Sequence, residues 1–267
     1  MDTEKKQHVT DYVTDFDPRA YMDAIYTPEK DDSGNTALNV PYLNNLNKAF
    51  IEGDIRGQRI LDIGSGPCIN SVLPAFQRFE EIYLSDLVPK NLTALKNWRS
   101  GNSANMLPVV EYFVQSEGIT ISSEELDELL RNKISGIFEI DVRRRDPLGD
   151  RQIPEVDAIV SSGCLESAAT DYESFSNYVS NITPLLKQGG KLVLSTVLYR
   201  TSYGVGSKVF MTAYLTPEYI RHSLNLVAMT SYTKNSFRRR KRQPTVRHSY
   251  ALLPKRLFDL NGNEEID

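Results

Sequence analysis

The sequence predicts a doubly wound α/β fold, mostly parallel, with an N-terminal helical cover and a C-terminal antiparallel hairpin. Three observations predict it. The apolar run Arg59-Ile60-Leu61-Asp62-Ile63 leads straight into Gly64-Ser65-Gly66-Pro67. A Gly-x-Gly turn lets the backbone bend sharply and approach a ligand, and it opens a helix whose unpaired N–H groups face that ligand. A second strand, Glu81-Ile82-Tyr83-Leu84-Ser85-Asp86, ends in an acid about twenty residues past the glycines, where a carboxylate accepts ribose hydroxyls. Short apolar strands then keep alternating with helical patterns, as a parallel sheet with crossovers requires.

Taken in chain order, the first 50 residues form the helical cover, with Tyr12, Phe16, Tyr21 and Tyr26 spaced near one helical turn. Such aromatics fit either core packing or a lid closing over a ligand. Strands are predicted over residues 59–64, 82–86, 134–141, 156–162 and 191–196, and helices over 70–78, 89–99 and 172–186. Gln188-Gly189-Gly190 reads as the C-cap of the last helix. Residues 103–133 interpose a helix started by Pro108 and an acidic helix over 122–131. Thr216-Pro217-Glu218 starts a further helix, with Thr as cap and Pro at the first position. Residues 227–237 and 245–253 read as the two arms of the edge hairpin. Residues 1–260 make a single domain and the polar tail 261–267 is expected to be disordered.

The departures from a dinucleotide pattern identify the cofactor class. The third glycine of Gly-x-Gly-x-x-Gly is replaced by Ile69, so no pyrophosphate is implied and an oxidoreductase is disfavoured. Asp62, two residues before the first glycine, is badly placed beside phosphates. It suits a cationic ligand end, such as the amino acid and sulfonium of S-adenosylmethionine. With Gly64, Ser65 and Gly66 as the turn and Asp86 at the ribose, the residues point to a class I, Rossmann-like methyltransferase. No metal is implied.

Composition excludes other classes. A net charge of −4 and a pI near 5.6 create no field drawing the chain to nucleic acid or an anionic membrane. No apolar run approaches the roughly 18 residues of a membrane span, and the charged Met1-Asp2-Thr3-Glu4-Lys5-Lys6 start has no signal-peptide core. A cytosolic monomer is expected, with Cys68 and Cys164 as free thiols. An adenine-type nucleic-acid methyltransferase needs Asn/Asp-Pro-Pro-Tyr/Phe after the fourth strand, where this chain has Ser162-Gly163-Cys164-Leu165-Glu166. The similar Asn39-Val40-Pro41-Tyr42 precedes the first core strand. Arg238-Arg239-Arg240-Lys241-Arg242 reads as a solvated hairpin tip that blocks edge pairing. A nuclear import signal or phosphate patch is the alternative.

Asp17-Pro18-Arg19-Ala20-Tyr21, Leu61-Asp62-Ile63-Gly64-Ser65-Gly66-Pro67, Asp86, Asn91-Leu92, Asp141-Val142, Pro147-Leu148-Gly149, Cys164-Leu165-Glu166 and Leu185-Leu186 with Gly189-Gly190 follow one another in the chain. Over roughly residues 10–255 the sequence resembles the nicotinamide, phenylethanolamine and thioether/indolethylamine N-methyltransferase family. The resemblance implies that Tyr21 and Tyr26 close on the methionine end of S-adenosylmethionine and that Gly64 makes a backbone contact beneath it. It also implies that Asp86, with Asn91 beside it, holds the ribose, and that Asp141 and Val142 flank the adenine. The family commonly has Tyr at the position of Asn70, which would otherwise contact the methionine end.

The same resemblance implies a small-molecule nitrogen acceptor lined by Tyr21, Thr196, Tyr203 and Thr212, with Glu166 as the carboxylate that orients it or takes its proton. Nicotinamide enzymes carry Asp at the position of Thr196, and phenylethanolamine enzymes have an acid at that of Tyr199. Nicotinamide or another pyridine is the first expectation, an arylalkylamine the second, and a noncatalytic cofactor-binding protein the alternative outside enzymes.

Overall fold

The computed structural model describes residues 9–26, 28–30, 36–38, 41–103, 105–236, 250–253 and 256–258, with side chains over 12–24, 42–103 and 105–226. The chain opens with helices α1 (Val9–Asp15) and α2 (Pro18–Tyr26), a ribbon of β1 (Pro28–Lys30) and β2 (Thr36–Leu38), and helix α3 (Pro41–Glu52). The Asp17-Pro18-Arg19 string is a helix start. Asp17 Oδ1 accepts the N–H groups of Arg19 at 2.9 Å and Ala20 at 3.3 Å, and Pro18 supplies the first helical φ without a wasted donor.

The central sheet begins with β3 (Arg59–Ile63), followed by a 3₁₀ turn at Asn70–Ala75, β4 (Glu81–Asp86) and helices α4 (Pro89–Arg99), α5 (Leu107–Glu117) and α6 (Ser123–Lys133). Then come β5 (Ile134–Glu139), β6 (Val156–Ser162), α7 (Leu165–Ala168), α8 (Tyr172–Ile182), a 3₁₀ turn at Thr183–Leu185 and β7 (Leu186–Ser195). The chain continues as the hairpin β8 (Ser202–Val205) and β9 (Lys208–Met211), helix α9 (Pro217–Ser236), and strands β10 (Tyr250–Leu253) and β11 (Arg256–Phe258). Among the described residues the sheet order is β11-β10-β7-β6-β3-β4-β5, parallel except for β11.

Alternation along each strand builds two cores. Ile60, Ile82, Leu84, Ala158 and Val160 face one way, onto Leu43, Phe50 and Trp98. Leu61, Ile63 and Ile159 face the other way, onto Phe175 and Val179, as the two-residue period demands. The chain winds outward from β3 through β4 and β5, then crosses to β6 and β7. The switch between β3 and β6 leaves a crevice beyond the strands' carboxyl ends, which is where ligands bind in such sheets.

Four expectations are corrected. The helix expected over 70–78 is a 3₁₀ turn, Asn70–Ala75, because Pro74 has no N–H and obstructs an α-helical ladder. The helix expected to reach residue 186 stops at Ile182 and continues only as the 3₁₀ turn Thr183–Leu185 that contains Pro184. Gly189 and Gly190 therefore lie inside β7 rather than forming a cap. Residues 227–236, expected to be extended, continue α9, and the C-terminal hairpin is made by β10 and β11 instead. Once α9 is nucleated at Thr216, each further residue gains a hydrogen bond at low entropic cost, which outweighs the weak strand preference of Val and Thr. The basic run at 238–242 and the tail at 261–267 lie outside the described residues. Among the described residues no helix is long and apolar enough to cross a membrane.

Candidate functional site

A cavity of about 600 Å³ opens beyond the carboxyl ends of β3, β4, β6 and β7. Its floor is the turn after β3. Gly64 and Gly66 have φ of +75° and +65°, a region costly for residues with a Cβ. A Cβ on Gly64 would lie 2.2 Å from Cys164 Sγ, so the Gly-x-Gly turn exists because the α7 loop packs directly against it. Gly64 and Ser65 both donate backbone N–H bonds to Ser85 O at 2.9 Å, which fixes the turn against the end of β4.

Asp86 stands at that end, 5% exposed and facing the cavity. Its Oδ2 accepts the Gly66 N–H at 2.8 Å, and its Oδ1 accepts the Val88 N–H at 2.8 Å and Asn91 Nδ2 at 3.1 Å. Burial pushes its pKa up, while the Val88, Asn91 and Gly66 donors pull it back. Asp86 thus has a second role that spacing alone does not reveal, which is to tie the glycine turn to β4.

Asp62 lies beneath the turn, fully buried, and neither carboxylate oxygen has a hydrogen-bond partner. Burial pushes its pKa up to about 8, the Ser65 hydroxyl opposing and Asp86 adding to the rise. A buried acid with two orphaned oxygens is costly unless a cation or donor comes to it. The positive end of S-adenosylmethionine supplies such a charge, so the turn, the orphaned acid and Asp86 fit that cofactor.

The other wall is aromatic. Tyr12 from α1, Phe16 from the link after it and Tyr21 from α2 pack on Tyr203 and Phe210 of the β8–β9 hairpin, with Tyr12 and Phe210 centroids 5.1 Å apart. Burial raises the Tyr12 and Tyr21 hydroxyls well above their usual range and Tyr203 to about 12, so all three stay neutral donors. Glu166, 2% exposed, projects from α7 into this wall, and its Oε1 accepts the Val197 N–H at 2.9 Å. Burial raises its pKa, the Val197 bond opposing. Thr196 is buried in the same wall, and its hydroxyl beside Glu166 likewise opposes the rise.

Of the predicted residues, Tyr21, Gly64, Gly66, Asp86, Asp141, Val142, Glu166, Thr196, Tyr203 and Thr212 line the one cavity. Asp62, Ser65, Asn70 and Asn91 do not; Asp62 lies buried beneath the turn. Ser65 Oγ accepts the Ser85 N–H at 3.2 Å, so it braces the turn from behind, and Asn91 reaches the cavity only through Asp86. Asn70 donates at 2.8 Å to the hydroxyl of Tyr42, and Tyr42 lines the cavity. A tyrosine from α3 therefore stands at the cavity wall beside the position where the sequence departs from the expected pattern. Both oxygens of Asp141 are held by Arg143, at 2.7 and 2.8 Å, and that pairing lowers its pKa. The carboxylate expected at the adenine is thus largely committed to Arg143. The Tyr26 side chain lies outside the described residues.

Sequence reasoning missed Tyr42, Leu87, Ile140 and Arg200, all of which line the cavity. Leu87 and Ile140 follow strand ends directly, a position that marks ligand contact in such sheets. Tyr42 and Arg200 carried no periodic signal.

The sequence is similar to those of known N-methyltransferases. The chain is 32% identical over 201 residues to nicotinamide N-methyltransferase of Homo sapiens, covering 74% of this chain and 76% of that protein. It is 32% identical over 214 residues to phenylethanolamine N-methyltransferase of Macaca mulatta, covering 78% and 76%. It is 29% identical over 216 residues to indolethylamine N-methyltransferase of Mus musculus, covering 80% and 82%. The NNMT/PNMT/TEMT family model matches residues 4–249. A Gly-x-Gly turn over a buried acid, a carboxylate at the end of the next strand and a match spanning nearly the whole sequence lead to one conclusion: the chain belongs to the NNMT/PNMT/TEMT family.

Proposed function

We propose that the protein methylates the ring nitrogen of a small, flat heterocycle of pyridine type. As a family member it is an S-adenosylmethionine-dependent N-methyltransferase. The cofactor, when bound, supplies a methyl group already activated by its sulfonium. The Gly64–Gly66 turn, with the Asp62 charge beneath it, would hold its cationic end, Asp86 would hold its ribose, and Ile140, Asp141 and Val142 would flank its base.

The protein's remaining task is to position donor and nucleophile and to exclude water, which accounts for about 7–11 kcal/mol of a methyl-transfer barrier. Tyr12, Tyr21 and Tyr203 form the wall that receives a flat ring. The observation that carries the reading is the juxtaposition in one buried wall of the Thr196 hydroxyl and a Glu166 carboxyl whose pKa is raised by burial. Both are suited to hydrogen-bond a polar ring substituent, and a pyridine nitrogen has no proton to surrender. An arylalkylamine is the second reading, favoured by the carboxyl of Glu166 amid aromatic rings, which would attract an ammonium group. Steady-state methylation of nicotinamide, quinoline, phenylethylamine and tryptamine tests the choice. The proposal expects kcat/KM to be highest for a ring-nitrogen acceptor, and a preference for the aliphatic amines would refute it.

A further inference from the structure

Two arginines line the cavity among the described residues, and they are spent differently. Arg143 forms its fork with Asp141. Arg200 makes no ion pair among the described residues, yet its position in the cavity wall is tightly set. The preceding residue, Tyr199, has φ of +58°, which a bulky side chain seldom adopts. That turn is held by the Tyr199 N–H bonded to Leu215 O at 3.0 Å, and the Thr212 N–H bonds Thr201 O at 2.9 Å on the other side. Arg200's own carbonyl accepts from Thr212 Oγ1 at 3.2 Å. The Tyr199 ring rests edge-on against Tyr214, centroids 6.1 Å apart. The backbone is therefore fixed on both sides of Arg200 by the segment after β9, which holds this exposed residue at the edge of the cavity. Of the acids lining the cavity, Asp141 is paired with Arg143, Asp86 accepts the Gly66 and Val88 N–H groups and Asn91 Nδ2, and Glu166 accepts the Val197 N–H with its charge opposed by burial.

We propose that Arg200 is a specificity-determining residue that selects an acceptor bearing an anionic substituent, specifically a pyridine-type ring carrying a carboxylate. The guanidinium, exposed at the cavity mouth, presents a planar fork that matches a carboxylate in two parallel hydrogen bonds, and it is not already committed to an acid among the described residues. The ring would lie on Tyr203 with its nitrogen toward the donor and its carboxylate toward Arg200. This inference rests on the heterocycle reading above for the ring but not for the anion.

The test measures the binding of pyridine-3-carboxylate and pyridine-3-carboxamide to the full-length protein loaded with S-adenosylhomocysteine, and their methylation with S-adenosylmethionine. Wild type, Arg200→Gln and Arg200→Lys are compared. The carboxylate is expected to bind about tenfold tighter than the carboxamide, as one partly exposed charge-assisted pair allows. Arg200→Gln should collapse that ratio to about one, Arg200→Lys should keep part of it, and raised salt should weaken the wild-type preference. Equal binding of the two ligands by wild type, or a preference that survives Arg200→Gln, overturns the inference. Tight, Arg200-dependent binding of the carboxylate without any methyl transfer sustains Arg200 as the anion reader and overturns the pyridine-acceptor reading instead.

Discussion

The buried acid beneath the glycine turn makes cofactor binding a proton-release reaction. Asp62 titrates near 8, against an ordinary 3.8, so at pH 7 about nine-tenths of the ligand-free protein holds a proton there. An opposite charge within about 4–6 Å lowers a carboxyl by 1–3 units. A two-unit fall on binding S-adenosylmethionine would leave about one-tenth protonated and release about 0.8 proton per site. Calorimetric titration at pH 7 in phosphate and in Tris reads that number from the dependence of the apparent heat on the buffer's ionisation enthalpy. The ligand's own amino group also titrates near 8, so the quantity to compare is the difference between wild type and Asp62→Asn. That difference should be about 0.8 proton. The linkage has a second consequence: because the folded pKa is raised, ligand-free wild type loses stability as pH rises from about 3.8 through about 8. Asp62→Asn should not share that loss. Identical proton release in the two proteins would show that the cofactor's charge is not felt at Asp62 and would refute the reasoning.

Further outcomes follow from the same geometry. Asp86→Ala should weaken S-adenosylmethionine at least tenfold, by about 1.5–3 kcal/mol for a charge-assisted bond. It should also lower the unfolding free energy in urea, since the Gly66 and Val88 N–H groups and Asn91 Nδ2 lose their acceptor; an unaltered unfolding midpoint would contradict that bracing role. Gly64→Ala should cost about 1–2 kcal/mol for its positive φ and about 1–3 kcal/mol more for overpacking against Cys164. Adding Cys164→Gly should recover only the second part, and strict additivity of the two changes would deny the contact. Glu166→Gln, assayed from about pH 6 to 9, should leave turnover of a pyridine nearly flat with pH. A loss of 10²–10⁴-fold, the range of a general base, would identify an amine acceptor instead.

Much of the site was legible because its residues sit at positions the fold defines locally. A Gly-x-Gly after a strand, an acid within that strand and another at the end of the next can be read without knowing any distant contact, and Asp62, Gly64, Gly66 and Asp86 stand at the cavity or directly beneath it. What was not legible depends on which way a side chain turns or on partners far away in sequence. Ser65 and Asn91 occupy the expected segments but point into the protein. Asp141 is held by Arg143 two residues on, an interaction that the strand-end pattern does not encode. Tyr42 reaches Asn70 from 28 residues away. Arg200 is positioned by a loop anchored to Leu215 and Thr212. In α9 Val227, Thr230, Tyr232 and Thr233 favour strand by composition, whereas the helix is decided by its start at Thr216 and Pro217, since local propensity is a weak determinant beside cooperative propagation.

The central claim is methyl transfer from S-adenosylmethionine to the nitrogen of a pyridine ring. The most direct measurement incubates the purified protein with methyl-labelled S-adenosylmethionine and pyridine-3-carboxylate or its carboxamide, and quantifies both products by mass spectrometry. The account predicts S-adenosylhomocysteine and an N-methylpyridinium ion in equal amounts, with the label on the ring nitrogen. Label found on oxygen, or S-adenosylhomocysteine formed only with aliphatic amines, would contradict it.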